Sequence, residues 1–136
     1  MKIKKDQFDA GLLANEETFI DFISEHLKDE SYDYVKRLPD DALKEMIANG
    51  LKRARGYGFK AANDLTAFVV FMFETAPNFD EHPTVNKIFK DNSIPIDQRF
   101  DCMLKNMTDE EWEEAHENYD EDAWFPEDDD DYEEIY

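Results

Sequence analysis

The segment Leu65-Thr66-Ala67-Phe68-Val69-Val70-Phe71-Met72-Phe73 is apolar nearly all round and stands between Asn63-Asp64 and Pro77. A stretch without a polar face is unfavourable on a surface, so the fold must enclose it. Its β-branched and aromatic residues would also suit a buried strand. Its length and the helical signals on both sides favour a helix that starts at Asn63 or Asp64, runs to about Ala76 and is stopped by Pro77. At about half of the roughly 20 residues a membrane-spanning helix requires, it is expected to be the central helix of a bundle.

The flanking sequence supplies the partners. Phe19, Ile20, Phe22, Ile23 and Leu27 fall on one helical stripe opposite Glu16, Glu17, Asp21 and Glu25, with Asn15 or Thr18 placed to cap the start. A short helix around Phe8, Leu12 and Leu13 would precede it, interrupted by Gly11. Tyr32 and Val35 begin a second pattern that closes at Leu38-Pro39, because proline disfavours helical geometry in the residue before it. Asp40 is placed to cap a helix carrying Leu43, Met46, Ile47 and Leu51. Lys52, Arg53 and Arg55 fall in its last turn, where the helix dipole favours cations. Gly56-Tyr57-Gly58 ends it, either glycine being able to take positive φ.

Beyond the apolar helix, Pro83 suits the first position of a helix through Val85, Ile88 and Phe89, which Asn92-Ser93-Ile94-Pro95 breaks. Phe100, Met103 and Leu104 mark another. Thr108-Asp109-Glu110-Glu111 has capping-box spacing and opens a last helix with Trp112 and Ala115. No period-two pattern competes. The sequence predicts an all-α protein, a compact bundle of about five to seven helices over residues 1–118. Residues 119–136 follow as an acidic, aromatic tail, extended or ordered only on binding.

Charge is unevenly placed. The 136 residues carry 35 Asp and Glu against 15 Lys and Arg, a net −20. Residues 1–108 hold 19 acids and all 15 bases, net −4, whereas residues 109–136 hold 16 acids and no Lys or Arg, net −16. Such a surface repels phosphate backbones and anionic headgroups, which argues against direct nucleic-acid or membrane binding. The single Cys102 forms no intrachain disulfide. Asp6 and Asp9 break up what begins as a basic leader at Met1-Lys2-Ile3-Lys4-Lys5, so a cytoplasmic location is expected.

Catalytic chemistry finds little support. The one thiol, Cys102, would need His26, His82 or His116 as a base, and none lies in a recognisable motif. Cys102 reads as a small buried hydrophobe beside Phe100, Met103 and Leu104, and His26 and His116, flanked by acids, read as surface residues. Gly56-Tyr57-Gly58 lacks the third glycine and the preceding strand of a phosphate loop. Asp120-Glu121-Asp122 and the run from Asp128 to Asp131 lack the glycine a calcium loop needs. No catalytic residue, metal or cofactor is assigned.

Binding is better supported. Trp124, Phe125, Tyr132 and Tyr136 are large aromatics set among Asp128, Asp129, Asp130 and Asp131, so acids would steer this segment toward a basic protein and aromatics would anchor it. The plainer alternative is a solubilising end. The same charges could also imitate a nucleic acid and inhibit a basic toxin such as a nuclease. Lys52, Arg53 and Arg55 form a secondary candidate patch, with dipole complementation as the simpler account and the acidic tail folded back on it as a third.

Arg53-Ala54-Arg55-Gly56-Tyr57-Gly58-Phe59, Asp64-Leu65, Phe68, Met72-Phe73 and Ala76-Pro77-Asn78-Phe79-Asp80, continuing through Arg99, Met103-Leu104 and Thr108 to Trp112, resemble a family of small helical bacterial proteins of unassigned biochemistry, encoded beside type VI secretion components and toxic effectors. The resemblance spans roughly residues 15–115 and excludes the acidic tail. It implies a companion of a secreted effector, acting as adaptor, chaperone-like loader or immunity protein.

Overall fold

The computed structural model describes residues 15–126, and their regular structure is all-α: seven α-helices and three 3-10 turns, with no strand among the described residues. Two compact units divide the chain between Val70 and Phe71.

In the first unit, α1 (Glu16–Glu30) starts at Asn15, whose side chain accepts the Thr18 N–H at 3.1 Å. Phe19, Ile23 and Leu27 are fully buried at four-residue spacing, whereas Phe22, on the edge of the expected stripe, is exposed. The single turn α2 (Tyr32–Val35) buries Val35 and leaves Tyr32 and Tyr34 in solvent. Helix α3 (Asp40–Gly56) buries Leu43, Met46, Ile47, Gly50, Leu51 and Ala54. Its cap position is Pro39 rather than Asp40, which lies in the first turn with Asp41.

Helices α1 and α3 pack together. Three ion pairs cross between the segments: Arg55 holds both carboxylate oxygens of Glu16 at 3.0 Å, Lys44 meets Asp21 at 3.0 Å, and Lys28 meets Asp40 at 2.9 Å. The numbering rises on one side as it falls on the other, so the helices are antiparallel. The Asp40 carboxyl is held below its ordinary range by the Lys28 ammonium, and Lys44 is raised by Asp21. These side chains are exposed, so the pairs set register more than stability. Between the two glycines expected to end α3, the positive φ falls on Gly58, at 102°. There the chain reverses to bury Phe59 against Phe68, ring centroids 6.2 Å apart.

Helix α4 (Ala62–Glu74) is the apolar segment and starts one residue before the expected window. Leu65, Phe68, Val69 and Met72 are fully buried; Val70 and Phe71 are only half-buried. Its last residues belong to the second unit, with a 3-10 turn (Phe79–Glu81), α5 (Pro83–Phe89), a 3-10 turn (Ile96–Gln98), α6 (Arg99–Asn106), α7 (Asp109–Glu117) and a last 3-10 turn (Glu121–Trp124). Pro83 occupies the first turn of α5, as expected, and His82 caps it, Nδ1 accepting the Thr84 N–H at 3.2 Å.

An aromatic cluster fills this unit. Phe71 lies 5.5 Å from Phe79 and 6.0 Å from Phe100, and Phe89 meets Phe79 and Phe100 edge-on. Such offset and edge contacts add to the area term of burial. Arg99 is 8% exposed, and its guanidinium donates to the Ile94 carbonyl at 2.9 Å and the Phe89 carbonyl at 3.0 Å. It thereby satisfies the last carbonyl of α5, at Phe89, and ties it to the following turn at Ile94. Leu104, expected on the apolar stripe of α6, is instead half in solvent.

Candidate partner-binding surface

Helix α7 and the turn after it carry the described part of the acidic end. Thr108 closes the predicted capping box: its hydroxyl accepts the Glu111 N–H and the Glu111 carboxylate accepts the Thr108 N–H, both at 3.1 Å. The other Glu111 oxygen accepts the Thr84 hydroxyl at 2.7 Å. Next along α7, Glu114 lies 2.9 Å from Nε2 of His82. Because His82 Nδ1 is an acceptor at the cap of α5, Nε2 carries the proton and donates to Glu114. Two carboxylates of α7 are thus tied to the start of α5, while Asp109, Glu110, Glu113 and Glu117 face solvent.

The Glu111 carboxyl is held below its ordinary value of 4.5, first by the Thr84 hydroxyl and then by the Thr108 N–H. A depressed folded value contributes stability that is present above the ordinary value and is lost as pH falls through the depressed one. The urea midpoint is therefore expected to drop on acidification below that value, and Glu111→Gln should make the drop shallower. An identical drop in wild type and variant would refute the assignment.

The chain then turns back. Asn78 is 8% exposed and makes two bonds to this segment, donating to the Asn118 carbonyl at 3.0 Å and accepting the Asp120 N–H at 2.9 Å. Trp124, expected as an anchor for a partner, is 4% exposed, packs on Phe73 at 4.5 Å and donates its indole N–H to the Tyr119 hydroxyl at 2.8 Å. It anchors this chain to itself. Helical periodicity ends near Asn118 as expected, but the ordered backbone continues through Trp124, because the indole brings enough apolar surface to hold a segment whose neighbours are Asp120, Glu121 and Asp122. Phe125 and Tyr119 remain about half exposed. Asp128, Asp129, Asp130, Asp131, Tyr132 and Tyr136 lie outside the described residues, as does the expected early helix around Phe8, Leu12 and Leu13.

The other candidates are dispersed. Arg55 is exposed but bound by Glu16, Arg53 is half-buried and Lys52 is exposed. Cys102 is not the buried hydrophobe expected: it is half-exposed on α6 and lines a shallow groove of about 460 Å³ with Ile94, Gln98, Asp101, Lys105 and Asn106. No histidine lines that groove. His26 is half-buried rather than exposed, and His116, exposed as expected, lies 3.0 Å through Nδ1 from the Thr75 carbonyl. Among the described residues no three His, Cys, Asp or Glu side chains are grouped to hold a metal ion, and no helix is long and apolar enough to cross a membrane.

Sequence reasoning missed Asn78, Thr84 and His82 as organisers of this surface. Their only signal was that Asn78 stood inside the Ala76-Pro77-Asn78-Phe79-Asp80 string. No family model matches the chain, and no curated protein or solved structure matches it.

Proposed function

We propose that this chain is a non-enzymatic protein-binding accessory factor that captures a basic protein, as an adaptor or chaperone-like companion of a secreted bacterial effector. The observation that carries the reading is the folded acidic surface. Asp109, Glu110, Glu113, Glu117, Asp120, Glu121 and Asp122 are exposed on backbone fixed by the capping box, Asn78 and Trp124, with no Lys or Arg among residues 109–136. Charges on ordered backbone cost less entropy on docking than charges on a free chain and steer association with a basic partner. The link to effectors rests on the resemblance of residues 53–80 and 99–112 described above.

Affinity capture from the native cell is expected to retain a basic protein whose binding falls steeply with salt. Glu110→Gln combined with Glu117→Gln should weaken that capture about tenfold, each exposed charge near a basic interface contributing about 0.7 kcal/mol. Capture that is indifferent to salt and to both substitutions would sink the reading. A second reading, inhibition of a toxin by charge mimicry, is favoured by the same fixed geometry, since mimicry requires charges on a shaped surface. Co-expression with the captured protein separates the two: survival of the cell marks an inhibitor, whereas an adaptor leaves the toxin active and is needed for its export.

A further inference from the structure

On α7, Asp109, Trp112, Glu113 and His116 fall at helical spacing on one stripe, and this stripe meets Glu74 and Thr75 at the end of α4. The six residues line a shallow groove of about 370 Å³. Its aromatic wall is held rigidly, because Trp112 lies parallel to Phe71 within 5° at a centroid distance of 5.5 Å. His116 Nδ1 donates to the Thr75 carbonyl, which fixes that imidazole at the rim. Three carboxylates and no Lys or Arg line the groove. The last turn of α4 also has no basic residue, so the negative end of its dipole stands uncompensated by a side chain of that turn.

We infer that this groove receives the guanidinium of an arginine presented by the basic partner. The inference rests on the partner-binding reading above and names the side chain it would recognise. A negative groove selects a cation, and the flat indole selects among cations. A planar guanidinium can stack on the ring while its edge N–H groups reach carboxylates, whereas an ammonium uses the carboxylates and gains less from the ring. An apolar side chain would desolvate Asp109 and Glu113 without pairing them. Trp112 is the specificity element, and Asp109 and Glu113 supply the charge.

The test uses the full chain labelled with nitrogen-15 and the capped peptides acetyl-Gly-Arg-Gly-amide and acetyl-Gly-Lys-Gly-amide. The two tryptophan indoles give two signals, and Trp124, committed to Tyr119, serves as the internal control. The arginine peptide is expected to shift the Trp112 signal saturably while Trp124 stays in place, with the lysine peptide at least about threefold weaker. Glu113→Gln, an exposed change compatible with the fold, should weaken the arginine response about fivefold. A non-saturating response, equal response to both peptides, or parallel movement of Trp124 would overturn the inference. Loss of the peptide response with the basic partner still captured removes the groove alone. A saturable, arginine-selective response with no basic partner captured supports the groove and removes the partner reading.

Discussion

Trp124→Ala is expected to lower the stability of the second unit by about 3–5 kcal/mol, the range for deleting a fully packed large aromatic. The indole is 4% exposed and packs at a tilt on Phe73 at 4.5 Å, so its loss uncovers Phe73 and leaves the Tyr119 hydroxyl without its donor. Cutting the chain after Asn118 removes the same indole together with the Asp120 N–H that Asn78 accepts, and should cost at least as much. A cut after Pro126 removes neither and is expected to leave the urea midpoint unchanged. That pair of truncations separates stability from partner capture: the longer chain tests what residues 127–136 contribute to binding with the fold held constant. A Trp124→Ala variant that unfolds at the wild-type urea concentration would show that the indole is not seated in solution.

The second large effect is expected at Phe89. Its ring is fully buried and meets Phe79 and Phe100 edge-on, at 6.2 Å and 5.1 Å. Phe89→Ala should cost about 3–5 kcal/mol, because the cavity it leaves is walled by rings that cannot collapse into it without breaking their other contacts. Phe89→Leu, which keeps most of the volume, should cost only about 1–2 kcal/mol. The Phe89 carbonyl also accepts from Arg99, so a backbone shift at this residue would disturb the seat of a buried guanidinium. Urea unfolding of the two variants gives the comparison, and equal costs would mean that retained volume contributes nothing and that the edge contacts of the ring account for the whole loss.

The helices were legible because they are written in short-range chemistry. Asn15, Pro83 and the Thr108–Glu111 box each act within four residues of their own position, and each stands where the spacing placed it. What was illegible is long-range. Asn78 reaches Asp120 across forty-two residues, and Thr84 reaches Glu111 across twenty-seven. Nothing in the strings around those residues distinguishes a polar side chain that faces water from one that holds a distant turn. Trp124 shows the same gap from the apolar side: a large aromatic in an acidic segment is equally compatible with a partner and with the chain's own body, and only Phe73 decides between them. Cys102 and Leu104 were assigned to the core from periodicity alone, but α6 is two turns long and turns both toward solvent. Short helices bury a narrower stripe than the spacing of their apolar residues suggests.

The capping carboxylates have a consequence for how such a protein could drift over generations. Acidity at positions 110 and 117 is a property of the surface, and the same total could be redistributed among neighbouring sites. Glu111 and Glu114 are different, because a hydroxyl, an amide and an imidazole depend on where those two carboxylates stand. Lineages that kept only the charge would be free to scramble the first group and would lose the join between α5 and α7 on altering the second. A tally of acids would score the two histories alike, although only one of them preserves the shape.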